Sequence, residues 1–265
     1  MNEPATDTAP DVGIDFDGSV AVVEIRRPPH NYFDIALIAA LANAFERLEA
    51  DARCRAIVLA SQGTAFCAGA DFAQREASAP EQRSPRGINP LYGEALRLFA
   101  CSKPVVAAVH GPAVGGGLGL ALVADFRVTC SQARFSANFN RLGFHPGFGL
   151  SVTLPRLVGV QHAALLFYTG RRISGDEAHR IALADLLVPQ DQVRTRAIEL
   201  AQEIAGSAPL AVQSTRATVR AGLVEQIRLA VARESMEQNR HFLSEDFKEG
   251  VAAMAARRAP QFKGR

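Results

Sequence analysis

The stretch KPVVAAVHGPAVGGGLGLALVADFRV, residues 103–128, runs from a short apolar segment into a glycine cluster and out into a second apolar segment. Val105–Val109 has no polar alternation and reads as a strand buried on both faces. Glycines 115, 116, 117 and 119 follow it almost at once. Glycine after a strand and before a helix lets the backbone come close to a ligand, and the helix start points unpaired N–H groups toward it. A strand, a glycine loop and a helix in that order indicate α/β architecture.

Working outward, Val20–Ile25 and residues 56–60 are two more apolar, β-branched runs that read as buried strands. Arg26-Arg27-Pro28-Pro29 ends the first, since paired prolines cannot continue a ladder. Between the two, Ile38, Leu41, Ala42, Phe45 and Leu48 recur at helical spacing and mark an amphipathic helix. A second glycine-bearing loop, GTAFCAGADF at 63–72, follows the strand at 56–60. The loop at 113–120 lacks the spacing and the late acidic residue of a dinucleotide fingerprint, and it has no Gly-Lys-Ser/Thr for a phosphate loop. A purely structural turn is the alternative for either loop; two of them, each after a strand, favour an anion site.

Residues 73–90 are polar, carry three prolines and show no period, which fits either a lid or a plain surface insertion. Ser174 and Glu177 form a capping-box pattern that opens a helix through Ala184. Beyond Val188 the pattern is wholly helical, with Leu223, Ile227, Ala230 and Val231 on one stripe, and Ser244 opening a later helix. The expected organisation is a loose tail at 1–12, a core at 13–190 and a separate helical region at 191–265.

A net charge of +2 gives no basic field for nucleic acid. Cys54, Cys67, Cys101 and Cys130 show no zinc or redox spacing and read as reduced, buried thiols, with no metal site expected. The first ten residues have neither a basic nor an apolar stretch of the signal-peptide kind, and no run reads as the roughly 18 apolar residues of a bilayer span. A cytoplasmic protein with no membrane insertion is expected.

Four ordered motifs, AFCAGAD (65–71), the 103–128 stretch, RLGFHPGFGLSVTLPRLVG (141–159) and TGRRISGDEAHRIALADLLVP (169–189), resemble the enoyl-CoA hydratase/isomerase, or crotonase, superfamily. The resemblance runs from Val20 to Phe262. It implies a crotonase-like spiral of ββα units with a C-terminal helical trimerisation region, and a homotrimer or dimer of trimers. It implies an acyl-CoA substrate, with coenzyme A present as part of the thioester and no permanently bound cofactor. The family's oxyanion hole falls on the backbone N–H groups of Ala70 and Gly116, where each donor to a developing oxyanion is worth about 3–4 kcal/mol. By the same resemblance Ala68, Ala70 and Phe72 line the adenine pocket, Arg27 meets a coenzyme phosphate, and Phe262 and Lys263 reach a neighbouring subunit's coenzyme. Arg27 and Lys263 also read as ordinary solvated charges.

The resemblance fails at the acids. The positions of the two hydratase glutamates hold Gly119 and Phe139, and that of a third acid used by some isomerases holds Gly147. A general acid–base group contributes about 10²–10⁴ in rate, so efficient hydration by the standard route is not expected. His145 is the candidate substitute base, or else a turn histidine. Asn138 and Asn140 can orient but not abstract; Tyr92, Glu94, Asp71, Asp125 and Cys67 are further candidates, each with a structural alternative such as a helix cap, a solvated face or a turn. The reading is an acyl-CoA enzyme of the hydratase/isomerase kind, with a non-catalytic acyl-CoA binder or a thioesterase as the alternatives.

Overall fold

The computed structural model describes residues 10–71 and 88–265. Phe72 and most of the proline-bearing 73–90 segment lie outside the described residues, as does most of the 1–12 tail. The three apolar runs form β2 (Val20–Ile25), β3 (Ala56–Ser61) and β4 (Val105–Val109), each buried at every residue. They pair in parallel, which explains the missing polar alternation. Ahead of them, β1 (Val12–Asp17) folds antiparallel onto β2 through a tight turn at Gly18, whose φ is 59°. Sequence inspection passed over β1 because its burial fades from Val12 to Asp17, as at a sheet edge.

β6 (Phe126–Thr129) and β9 (Leu186–Leu187) complete a six-stranded sheet in the order β1-β2-β3-β4-β6-β9. A three-stranded sheet joins β5 (Ala113–Val114), β7 (Arg134–Ser136) and β8 (Arg172–Ser174) in the order β5-β7-β8. Between β4 and β6, and again between β6 and β9, the chain leaves the large sheet to lay short strands in the small one. Helix α1 (Ile35–Ala50) begins at Asp34, whose carboxylate accepts from Leu37 N–H, and packs on β1, β2 and α2 (Pro90–Ala100). Buried Lys103 ties the end of α1 to β4: its Nζ donates to the carbonyls of Leu48, Asp51 and Cys54, each at 2.6 Å.

After the small helix α3 (Gly116–Ala121) the chain runs through a 3₁₀ turn at Asn138–Leu142 into α4 (Leu150–Thr169). By length and composition α4 could cross a membrane, which the sequence inspection did not foresee. The helix is broken at Gly159 (φ 77°, ψ 157°), contains Pro155, and leaves Val160, Leu165 and Tyr168 exposed. α5 (Gly175–Arg180) opens with Ser174 accepting from Glu177 N–H at 3.2 Å, as the capping pattern requires.

The helical region after residue 190 is not wholly separate. Its first helix, α6 (Val193–Ala205), lies across β2, β3, β4 and β6, burying Val193, Ala197 and Ala201 on the large sheet. α7 (Pro209–Val219), α8 (Leu223–His241) and α9 (Glu245–Ala255) follow. Leu223, Ile227 and Val231 of α8 are buried as their spacing predicts, and the buried stripe then continues in polar residues: Glu234, Ser235, Gln238.

Candidate active site

The two glycine loops lie side by side. Cys67 bridges to Ala113, Val114 N–H donates to Cys67 O at 3.0 Å, and Cys67 N–H donates to Pro112 O at 3.0 Å. A Cβ added at Gly117 would stand 2.0 Å from Cys67 O, so only glycine allows this approach. A third segment closes on the first: Ala68 N–H donates to His30 O, Phe33 N–H donates to Gly69 O, and buried Asn31 donates from Nδ2 to Gln62 O and Ala65 O. These contacts use up the N–H groups of Cys67, Ala68 and Val114. Among the described residues, the N–H groups of Ala70 and Gly116 donate to no protein acceptor. Gly115, at φ 56°, turns the chain so that Gly116 starts α3 with its N–H outside the helix ladder.

Both residues line a cavity of about 560 Å³, as does Ala68. A further wall is aromatic: Phe33, Tyr92, Phe139, Phe144, Phe148 and Phe242 all face it. Two of these rings explain what replaced the expected acids. A Cβ at Gly119 would meet Phe148 Cβ at 2.7 Å and Cδ1 at 2.8 Å, so the Phe148 ring fills the place a side chain at 119 would need. Phe139 is itself part of the wall and packs edge-on against Phe144, with centroids 5.4 Å apart. At Gly147 an added Cβ would lie 1.9 Å from the Tyr92 hydroxyl, which donates to Gln238 Oε1 at 2.9 Å. Each of the three acid positions is therefore closed by packing as well as by residue type.

The other sequence candidates separate from this cavity. His145 does not line it: its Nδ1 lies 2.8 Å from Pro146 O, its N–H donates to His241 Nδ1, and its carbonyl accepts from Gln238 Nε2. Its main chain ties the 143–149 turn to α8, where the chain reverses to start α4. Arg27 is held between Asp11 and Asp34 at 2.8 and 3.0 Å. Partial burial alone pulls its pKa down, but the hydrogen bonds to those carboxylates carry it above the ordinary value. Phe262 and Lys263 stand outside the cavity of their own chain, with Lys263 N–H donating to Asp246 and its Nζ 3.8 Å from Glu245. Asp125 is a structural anchor that accepts from Val105 N–H, Arg216 and Arg220. Glu94 pairs with Arg97, and Asn140 Nδ2 donates to Tyr168 O. Burial pushes the Cys67 thiol up to about 12, which keeps it an unreactive thiol. Asp71, Asn138 and Tyr92 remain at the cavity.

Sequence reading missed Phe33, Phe148, Phe242 and Gln238. Gln238 continues the stripe of Ile227 and Val231 at helical spacing, a signal that was present and polar. Glu234, on the same stripe, accepts from Gly149 N–H at 2.9 Å, Ser151 N–H at 3.0 Å and Ser151 Oγ at 2.5 Å, and so holds the turn that carries Phe148. Its burial raises its pKa, against those hydrogen bonds. Among the described residues no cluster of three His, Cys, Asp or Glu side chains is placed to hold a metal ion.

Comparison with known proteins adds four findings. The sequence model of the enoyl-CoA hydratase/isomerase family matches residues 15–265. A short-chain-enoyl-CoA hydratase of Clostridium acetobutylicum is 34% identical over 254 residues, covering 94% of this chain and 96% of that one. A probable enoyl-CoA hydratase of Bacillus subtilis is 32% identical, covering 96% and 98%. The crystal structure of an enoyl-CoA hydratase/isomerase from Pseudoalteromonas atlantica superposes with a TM-score of 0.85 at 30% identity, over 96% of this chain and all of that one.

Proposed function

Because the chain belongs to the enoyl-CoA hydratase/isomerase family, a family of lyases and isomerases with the crotonase fold, we propose that it binds an acyl-CoA thioester with the carbonyl oxygen between the Ala70 and Gly116 N–H groups. The observation that carries this reading is the pair of main-chain donors, on two apposed loops, left without a protein acceptor at the edge of a mostly apolar cavity. Charge that moves onto the thioester oxygen as an enolate forms is stabilised there, in a site already organised for it. Ala68 and Ala70 take the coenzyme end through their backbone. Coenzyme A enters as part of the substrate, and a trimer or dimer of trimers covers the exposed apolar residues of α4, Val160, Leu165 and Tyr168.

Hydration by two carboxylates is not its reaction. Gly119 and Phe139 cannot move a proton, and Phe148 leaves no room for an acid at 119. Proton transfer falls to a group already at the cavity, with His30, Tyr32, Asp71 and Tyr92 the described side chains of suitable chemistry. The absence of both carboxylates equally favours a second reading, an acyl-CoA binder that turns nothing over.

The test is incubation of purified protein with crotonyl-CoA and a series of longer enoyl-CoAs, with products resolved by mass and retention and binding followed by calorimetry. Hydration, isomerisation or thioester cleavage fixes the reaction. Binding without product establishes the second reading. If no acyl-CoA binds, the thioester assignment is wrong.

A further inference from the structure

The aromatic side chains at the cavity form two connected groups. In one, Phe148 packs against Phe33, Tyr92 and Phe99 with centroids 5.6, 6.3 and 6.3 Å apart. In the other, Phe144 packs against Phe139, Phe242 and Phe247 at 5.4, 5.2 and 5.7 Å. The first group reaches the oxygen-binding loops directly: Phe33 Cζ stands 2.3 Å from where a Gly116 Cβ would be, and Phe148 fills the space above Gly119. Acyl carbons attached to a carbonyl held at Gly116 therefore begin against ring surfaces. Most of these contacts are edge-on, with interplanar angles of 76°, 64°, 84° and 85°. Such a lining offers both ring faces and ring edges to a guest.

Resting on the acyl-thioester reading, we propose that the cavity selects acyl groups that carry an aromatic ring, and that specificity is set by Phe139 in the cavity wall and by the buried Phe148 ring, which backs the cavity-facing rings of Phe33 and Tyr92. A guest ring gains the edge-to-face attraction of each partner ring in addition to its buried area, and a saturated ring of the same carbon count gains the area alone. Each such pair favours the aromatic guest by about 2- to 12-fold in affinity. The two residues stand where the sequence comparison expects a catalytic acid or the room for one. In place of two carboxylates the cavity is walled by rings: Phe139 stands at one acid position, and Phe148 occupies the space beside Gly119.

The experiment compares 3-phenylpropanoyl-CoA with 3-cyclohexylpropanoyl-CoA and free coenzyme A by calorimetry, on the full chain. The guests match in carbon count and shape class, and the cyclohexyl ring is the more hydrophobic, so a phenyl preference reports the ring electrons. The wild type binds the phenyl thioester at least about fivefold more tightly, and Phe148→Leu and Phe139→Leu each bring the ratio toward 1 while the Kd of free coenzyme A stays put. Should Phe148→Leu not fold, Phe139→Leu at the cavity wall gives the same reading. Equal Kd values for the two thioesters on the wild type, or a ratio that survives both substitutions, overturn ring selectivity and leave the thioester reading standing. No binding of any of the three overturns both.

Discussion

Two walls of one cavity differ in what their chemistry asks of the sequence. The wall built from residues 64–70 and 112–116 works through main-chain N–H groups, and all it needs is small residues that let two loops touch, as at Gly117 against Cys67 O. The wall built from the 138–149 segment, α8 and the facing end of α3 works through side chains, and there the expected acid positions hold Phe139 and two glycines, Gly119 and Gly147, whose side-chain space is taken by Phe148 and Tyr92. A function carried by the backbone tolerates almost any change that preserves size. A function carried by a carboxylate ends with one substitution, after which its space is free for packing.

The largest effect should come from breaking the main-chain wall. Gly116→Pro removes one donor and sets a ring where Phe33 already stands. We expect any turnover to fall by about 10²–10³, or about 3–4 kcal/mol in the barrier, measured as kcat/KM with a melting curve to show that the fold survives. Unchanged turnover would falsify the donor assignment. Next, Glu234→Ala leaves the N–H groups of Gly149 and Ser151 without their buried acceptor, and should cost about 2–3 kcal/mol in urea unfolding while releasing the turn that carries Phe148. A smaller cost would mean that the turn holds itself.

Restoring an acid sharpens the contrast. Gly119→Glu should destabilise by about 1–3 kcal/mol through overpacking against Phe148 and yield no hydratase activity. Phe148 has a φ of 63°, a conformation glycine adopts freely, so the pair Gly119→Glu with Phe148→Gly should show a favourable coupling of the two changes. Additive costs would mean that the ring does not hold the space closed. The smallest effect belongs to Arg27→Ala, because Asp11 and Asp34 already neutralise that cation: coenzyme A affinity should change by no more than about twofold.

A titration separates the regions too. Asp51 and Glu249 are held at about 2 by hydrogen bonds from Arg53 and Arg258. Their folded pKa values lie below the ordinary carboxylate values, so they stabilise above that range and the contribution is lost as the pH falls toward 2. Glu234 runs the other way. Its raised pKa gives a contribution that is present at low pH and lost as the pH rises through the folded value. Unfolding curves followed from neutral pH down to the ordinary glutamate value should therefore fall less steeply for wild type than for a variant lacking Glu234.

Much of this was readable in the chain itself. Val20–Ile25, residues 56–60 and Val105–Val109 announced a parallel sheet because strands buried on both faces admit no polar alternation. Ala70 and Gly116 were indicated by the family resemblance of their two loops, with which their small size is compatible. β1 and β9 were not, being edge pieces with weak or very short patterns. Phe148 and Gln238 were out of reach for a different reason. Their roles come from residues far apart in sequence, Gly119 with Phe148 and Tyr92 with Gln238, which no local spacing records. His145 lies in a turn beside the site without lining the cavity, and its main-chain N–H and carbonyl are tied to His241 and Gln238 of α8.

Lysine is scarce in this chain: Lys103, Lys248 and Lys263 are the whole set among 29 cationic side chains. Thioesters acylate free amines without any catalyst, and guanidinium groups are spared. Lys103 is buried and its Nζ donates to three main-chain carbonyls, so its amine is closed to electrophiles. Side-chain amine chemistry on the folded protein is therefore confined to Lys248 and Lys263, near the C-terminus. On the acyl-thioester reading, the amine side chains open to such donors lie at one end, and among side chains an amine-selective label would decorate that end alone.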